Sequence, residues 1–472
     1  AQEIIKKYKL SLPVSAKTGK YSTAKKAVES LPYSEAKAFL LGDLDALGDE
    51  ELFEISMKLW ENANQGLINI SSKPQMGEIA FKYLGIKPLS YTKSNAPQFN
   101  DDTITYLAEE EDMEWAKLLG DYNKLIKIRG SYIDRFLDNH EDSFYYFYYK
   151  QHGTISGRYS SDAQQLPRPK EEGELSETVL KYNNTIRKFF IAEEGRVFID
   201  SDYESLEPHV FSHVSEDDGV RDIFRKGHDF YSTVAIKTER LEGVSADKKA
   251  PNYLKKVDAV KRQNAKPYSL GIPYGMSVYA LKMALDIEYK EAEEKWNAYW
   301  EGFPVLHEKC KSTWKEAQTL GIVKTEAGRA RHLKKCQRLY KKHGDKLMDW
   351  RYRKSLIKKL TPKYGKVEAE NKVTNAYKDY KNEKNNSFNF KIQGLSGSIV
   401  NRAAIAASIR FKENGIDAWV CAQVHDQLIF NCPEDRLEEC LEIVQDCMEN
   451  TTKLSVDLKA PPEVSYNWKE GH

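Results

Sequence analysis

The sequence predicts an α+β fold in several subdomains, mostly helical, with one small sheet built from strands far apart in the chain. Three observations lead there. The 472 residues exceed the roughly 250–300 that one hydrophobic core sustains. Apolar residues recur at helical spacing over 109–138, and 216–330 and 334–384 also read as helix. Short β-type runs stand at 197–199 and within 418–432, on opposite sides of a long helical stretch.

In chain order, a helical pattern begins at once in residues 1–10, and its start at Ala1 leads us to expect a processed or truncated chain. Glu3, Ile4, Lys7, Tyr8, Pro13 and Ser15 recur 75 positions later as Glu78, Ile79, Lys82, Tyr83, Pro88 and Ser90, either a weak internal repeat or a coincidence of short matches. Residues 109–138 read as one long, partly exposed helix with Lys124, Lys127 and Arg129 near its end. Residues 143–149 are aromatic-rich without helical periodicity and read as strand, as does 197–199, which runs into Asp202. Residues 216–330 return to helix, and 334–384 are helical, basic and interleaved with aromatic rings. Two further strands, 419–424 and 428–430, flank a tight turn at His425, Asp426 and Gln427.

Composition excludes several classes. No stretch has the roughly 18–20 consecutive apolar residues of a membrane-spanning helix, and no signal-peptide pattern opens the chain, so no membrane partner is expected. The six cysteines contain no C-x-x-C pair, which argues against a zinc site or disulfide framework and for a reducing, intracellular compartment. A net charge of +1 argues against a uniformly basic nucleic-acid binder. The average conceals residues 334–384, where seventeen Lys and Arg face six acids. Such a segment can follow a phosphate backbone, and a solvated helical surface reads the same way.

Asp202 and Asp426 end strands, so both carboxylates can meet on one edge of a sheet as oxygen ligands for Mg²⁺; taken singly, each also reads as a turn or cap residue. Between them Arg262, Lys266, Leu270 and Tyr274 fall at four-residue steps, one face of a helix. Two cations, an apolar residue and a ring suit a nucleotide, with the cations on its triphosphate. An ordinary amphipathic helix has the same spacing, and Pro267 and Pro273 cut across it.

Residues 202–207 (DYESLE), 262–275 (RQNAKPYSLGIPYG) and 423–428 (QVHDQL) resemble, in this order and at these separations, motifs A, B and C of family A DNA polymerases, the group of bacterial DNA polymerase I and many phage enzymes. Residues 156–161 with 164–168 resemble the family's primer-template segment, 389–394 its minor-groove segment, and 69–88 with 127–134 its thumb; the first 65 residues match poorly. The resemblance implies a right-hand fold: an N-terminal helical segment 1–60, thumb 61–140, palm 141–215 with motif A, fingers 216–384 with motif B and the basic insertion, and palm again over 385–472 with motif C. It implies a DNA-directed DNA polymerase that adds deoxynucleotides to a primer 3′-hydroxyl and releases pyrophosphate.

By the same resemblance, Asp202, Asp426 and the Tyr203 carbonyl hold two Mg²⁺ ions, with Mn²⁺ as a substitute. Arg262 and Lys266 hold the triphosphate, and Lys266 donates a proton to the leaving group. Glu207, with Tyr274 as its hydrogen-bond partner, blocks the ribose 2′-hydroxyl; Leu270 and Tyr231 complete the nucleotide site. Arg158, Gln164, Asn389, Gln393, His425, Lys127 and Arg129 contact DNA. The implied partners are a primer-template duplex, deoxynucleoside triphosphates and other replication proteins, for a monomer in the cytoplasm, that of the host if the origin is a phage.

Some residues depart from the family pattern. Leu270 stands for an aromatic residue, Gln427 for Glu, Tyr231 for His, Asn385 for Arg, and Pro208-His209 for Leu-Arg. Two rivals are a single-subunit RNA polymerase, against which Glu207 argues, and a nucleic-acid-binding scaffold without activity, against which the intact Asp202, Asp426, Arg262 and Lys266 argue. Asp43 and Asp45 make a poor exonuclease pair, so no proofreading activity is expected from this chain.

Overall fold

The computed structural model describes residues 70–92 and 95–468. Residues 1–10, the first copy of the repeat, and Asp43 with Asp45 lie outside the described residues. The chain divides into two compact units, Ala1–Arg129 and Gly130–His472.

In the first unit, helices Lys73–Glu78, Asp101–Glu109 and Glu114–Ile128 bury Met76, Ile104, Leu107 and Leu119 in a small core. Asn100 caps the second of these by accepting the Thr103 amide at 2.9 Å. The single helix expected over 109–138 is interrupted. Asp112 takes a left-handed φ of 52°, which separates Glu109 from the helix that begins at Glu114, and Arg129–Ile133 is a π-helical turn before Asp134–Asp138.

The second unit is built around a four-stranded antiparallel sheet. Its strands are β1 (Arg196–Asp202), β2 (Trp419–Val424), β3 (Gln427–Pro433) and β4 (Pro462–Ser465), in the order β4-β1-β3-β2. Strand alternation divides the two faces. Val197 and Ile199 of β1, with Leu428, Phe430 and Cys432 of β3, enter the main helical core. The intervening Phe198, Asp200 and Asp202 take the opposite face, paired across the strands with Asn431, Ile429 and Gln427. There Phe198 and Asn431, with Phe147, Phe190 and Trp468, line a cavity of about 810 Å³.

Helices cover the sheet and extend from it: α1 (Leu206–Ser215), α2 (Phe230–Glu239), α3 (Ala259–Gly271), α4 (Pro304–Thr319), α5 (Lys334–His343), α6 (Trp350–Tyr364), α7 (Lys366–Glu413) and α8 (Leu437–Asn450). The 48 residues of α7 span about 70 Å at 1.5 Å per residue. Its C-terminal half buries Ile392, Leu395, Ile399 and Val400 in the main core.

Two expectations are corrected in detail. The stretch 216–330 is not all helix, because Ile322–Lys324 pairs with Ala330–His332; Gly321 and Gly328, at φ 68° and 84°, allow the reversals that helix forbids. Within 143–149 only Phe144–Tyr145 and Tyr149–Lys150 form strands. Among the described residues no helix is long and apolar enough to cross a membrane.

Candidate active site

The turn between β2 and β3 consists of His425 and Asp426, since Val424 pairs directly with Gln427. His425 has φ 56° while Asp426 keeps a negative φ, the II′ pattern that normally places Gly first. A β-branch-free but bulky histidine held there stores local strain, a feature that collects at functional sites. The same register sets Asp202 beside Gln427, so the strand-end carboxylates of β1 and of the turn meet. Partial burial, then the Asp426 charge, push the Asp202 carboxyl up to about 6. Arg158 Nη2 donates to Asp426 Oδ1 at 3.0 Å, placing a guanidinium where adjacent carboxylates call for a cation.

Two residues fix the strand end. Tyr203 buries its ring and donates its hydroxyl to the Met448 carbonyl at 2.7 Å, and burial raises that hydroxyl far out of the titrating range. Gln427 Nε2 donates to both oxygens of the buried Asp200, at 2.8 and 2.6 Å. Burial pushes the Asp200 carboxyl up to about 7 against the lowering effect of Gln427. Asp200 was missed in the sequence, although alternation alone puts it on the face of Asp202. Gln427 thus ties the end of β3 to a carboxyl two residues before Asp202.

The cationic helix lies in the same unit. On α3, Arg262 donates from Nε and Nη2 to Asp229 at 2.8 Å each, a planar two-point pair. Burial would raise the Asp229 carboxyl, but hydrogen bonds from Arg262 and Ser232 hold it below the usual carboxylate range. The Tyr231 ring lies 5.5 Å from the Arg262 guanidinium and 5.9 Å from Lys266 Nζ. Lys266 is exposed, and Leu270 is half-buried against the core. Tyr274 is not on the helix, which ends at Gly271, because Pro273 and the left-handed Gly275 (φ 98°) turn the chain. From that turn its hydroxyl donates to Glu207 Oε1 at 2.7 Å. Glu207 stands in the first turn of α1, where a carboxylate suits the helix dipole. Asn385 fills the space beside Gly275 and donates to its carbonyl at 3.3 Å.

Helix α7 passes along this site. A Cβ on Gly397 would come within 3.1 Å of Arg158 Cγ, and one on Gly394 within 2.9 Å of Thr325 Cγ2. Asn389 and Gln393, one turn apart, are half-buried on the same helix. Gln164 Nε2 donates to the Tyr159 carbonyl at 2.8 Å, fixing the loop that carries Arg158. Burial, then Arg168, lowers the His425 imidazole pKa. Lys127 and Arg129 belong to the first unit. Asp229 escaped the sequence reading because it is 33 positions from its partner, and an Asp before a helix looks like the N-cap that it also is, accepting the Ser232 amide at 2.7 Å.

Residues 39–470 match the model of DNA polymerase family A. The chain belongs to this family. This family A chain is 28% identical over 442 residues to DNA polymerase I of Pseudomonas aeruginosa, covering 92% of the chain and 42% of that protein. It is 27% identical over 434 residues to DNA polymerase I of Bacillus caldotenax, covering 90% and 43%. It thus spans about two-fifths of the length of these relatives. Its fold is similar to that of the POL domain of Pol1 from M. smegmatis, solved in complex with DNA primer-template and dNTP, with a TM-score of 0.66 and 21% identity over 95% of this chain and 67% of that one. The α+β right-hand fold follows from that likeness.

Two adjacent carboxylates, Asp202 and Asp426, are oxygen donors of the kind that would fit Mg²⁺. Among the described residues no group of three or more His, Cys, Asp and Glu is arranged to hold an ion. Mg²⁺ keeps waters and substrate phosphates in its shell and needs only one or two carboxylates.

Proposed function

We propose that this chain is a template-directed DNA polymerase, adding deoxynucleotides to a primer 3′-hydroxyl with release of pyrophosphate. The observation that carries the proposal is the meeting of Asp202 and Asp426 at one end of the sheet, in the same unit as the Arg262–Lys266 face of α3. Asp202, Asp426 and the Tyr203 carbonyl would hold two Mg²⁺ ions, or Mn²⁺. When bound, the ions lower the pKa of the primer hydroxyl and offset charge on the phosphates.

The chain's own groups do the rest. Arg262, oriented by Asp229, and Lys266 grip the triphosphate, and Lys266 Nζ protonates the departing pyrophosphate. Glu207, fixed by the Tyr274 hydroxyl, fills the space a ribose 2′-hydroxyl needs, which favours deoxynucleotides. Leu270 and Tyr231 flank the nucleotide. Arg158, Gln164, Asn389, Gln393 and His425 position the primer-template; Lys127 and Arg129, of the first unit, are assigned as DNA contacts in their own right. We assign thumb to 61–140, palm to 141–215 and 385–472, and fingers to 216–384. The chain acts as a monomer in the cytoplasm.

The test is extension of a labelled primer on a DNA template with Mg²⁺, offering deoxynucleotides or ribonucleotides. Extension with deoxynucleotides only is expected. Duplex binding without extension would favour the inactive scaffold, and preference for ribonucleotides would favour an RNA polymerase.

A further inference from the structure

Helices α5 and α6 form a basic arm that the proposed active site does not use. Five cations in Lys334–His343 and six in Trp350–Tyr364 are accompanied by no acidic residue within either helix. Helix α6 buries none of its residues. It folds back on α7 through Gly365, at φ 77°. Arg353 stacks on Tyr377 at 4.0 Å, and Lys372 lies over Tyr364 at 4.6 Å, which fixes the face of α6 turned toward α7.

The opposite face is cationic. Arg351, Lys354 and Lys358 follow at i, i+3 and i+7, on one exposed stripe about 10 Å long. Lys334, Arg338 and Lys341 form a similar exposed row on α5. Among the described residues none of these six is within ion-pair distance of a carboxylate; Lys335, by contrast, reaches Asp379 at 3.2 Å. A purely structural surface helix mixes signs to form i, i+4 pairs, and this one concentrates a single sign. Trp350, 60% exposed, begins α6 beside the cationic row.

We infer that this arm holds the single-stranded template ahead of the primer end. The inference rests on the proposed polymerase function. Unpaired cations neutralise phosphates, and an exposed indole among them offers a stacking platform that a single strand can use and a closed duplex cannot. The reach is set by α7. Tyr377, against α6, is 20 positions from Gly397, which abuts Arg158 at the acidic pair. That is about 30 Å along the helix, at most roughly nine nucleotides at the stacked rise of about 3.4 Å and fewer for an extended single strand. Contact is therefore expected only when the template extends well beyond the insertion site.

The test compares primer-templates with 3-nucleotide and 25-nucleotide template overhangs, binding the full chain over a salt series, for wild type and for Arg351→Gln/Lys354→Gln/Lys358→Gln. The expected result is a 5- to 20-fold loss of affinity for the long overhang, a salt slope shallower by about 2–3, and no change for the short one. The row variant Lys334→Gln/Arg338→Gln/Lys341→Gln should act in the same direction, and serves if the first variant does not fold. Unchanged affinity and slope on the long overhang would overturn the inference, as would an equal loss on both DNAs, which would indicate the duplex. Failure of wild type to bind either DNA would remove the proposed function and the inference together; intact wild-type binding with unaffected variants removes the inference alone.

Discussion

At the residue scale, the residues assigned to the proposed site stand out in the sequence because they resemble family motifs, while their hydrogen-bond partners do not. Asp202, Asp426, Arg262, Lys266 and Glu207 stand in recognisable motifs. Asp200 and Asp229 sit outside them and acquire meaning only from the Gln427 and Arg262 hydrogen bonds. Asp200 gives a pH prediction. Its folded-state pKa, about 7, is raised mainly by burial from a usual value near 3.8, so the folded state binds more protons than the unfolded one between these limits. Stability from this group is present below about pH 4 and is lost as pH rises toward 7. In EDTA, denaturant unfolding at pH 5 and pH 8 should show wild type losing about 2 kcal/mol more than Asp200→Asn, which keeps an acceptor for Gln427. Parallel losses would contradict the assignment. For sugar selection, Glu207→Ala should raise ribonucleotide use by about 10²-fold or more relative to deoxynucleotides, since a steric and hydrogen-bonded barrier is removed. Tyr274→Phe should raise it less, because Glu207 remains but loses its 2.7 Å partner. Competition assays on one template measure both, and unchanged selectivity in Glu207→Ala would remove the sugar gate. Leu270→Tyr is expected to change dideoxynucleotide use; an identical incorporation ratio would deny Leu270 a place beside the sugar.

At the scale of elements, the β2–β3 hairpin was legible because alternating apolar residues end at a polar turn, and its register follows from which face must be buried. The II′ turn was not, since nothing in His425-Asp426 announces a positive φ without Gly. Tyr274 was misplaced onto α3 because four-residue spacing persists past the point where Pro273 and Gly275 end the helix. The hairpin Ile322–Lys324 with Ala330–His332 is too short to interrupt a helical pattern in sequence. It is held in place by its tip, where Glu326 contacts His213 Nε2 of α1 at 2.7 Å. Packing of α7 against the Arg158 loop yields a test at this scale. Gly397→Ala would force a Cβ against Arg158 Cγ at 3.1 Å and its backbone nitrogen at 3.3 Å. The expected cost is about 1–2 kcal/mol of stability and roughly tenfold in extension rate, as Arg158 shifts from Asp426. Wild-type rate and stability in this variant would show that the contact yields freely.

At the scale of the whole molecule, the α+β class was readable because the sheet needs strands from both sides of the helical region, and the right-hand fold followed from the resemblance of the motifs to the family's. The division at Arg129 and Gly130 was not, since helical periodicity runs through 109–138 with only Asp112 and a π-turn to mark change. Distant segments converge because β1 lies between β3 and β4, so closing the core necessarily brings Asp202 to the hairpin turn. The meeting of these two carboxylates is in this sense a consequence of sheet order. The most direct measurement is single-nucleotide incorporation in one turnover at saturating Mg²⁺ by wild type, Asp202→Asn and Asp426→Asn, at equal duplex occupancy. Losses of about 10³-fold or more in both variants, with duplex affinity and unfolding cooperativity retained, are the expected result. Incorporation by either variant within a few-fold of wild type would contradict the claim that this carboxylate pair is the centre of nucleotide addition.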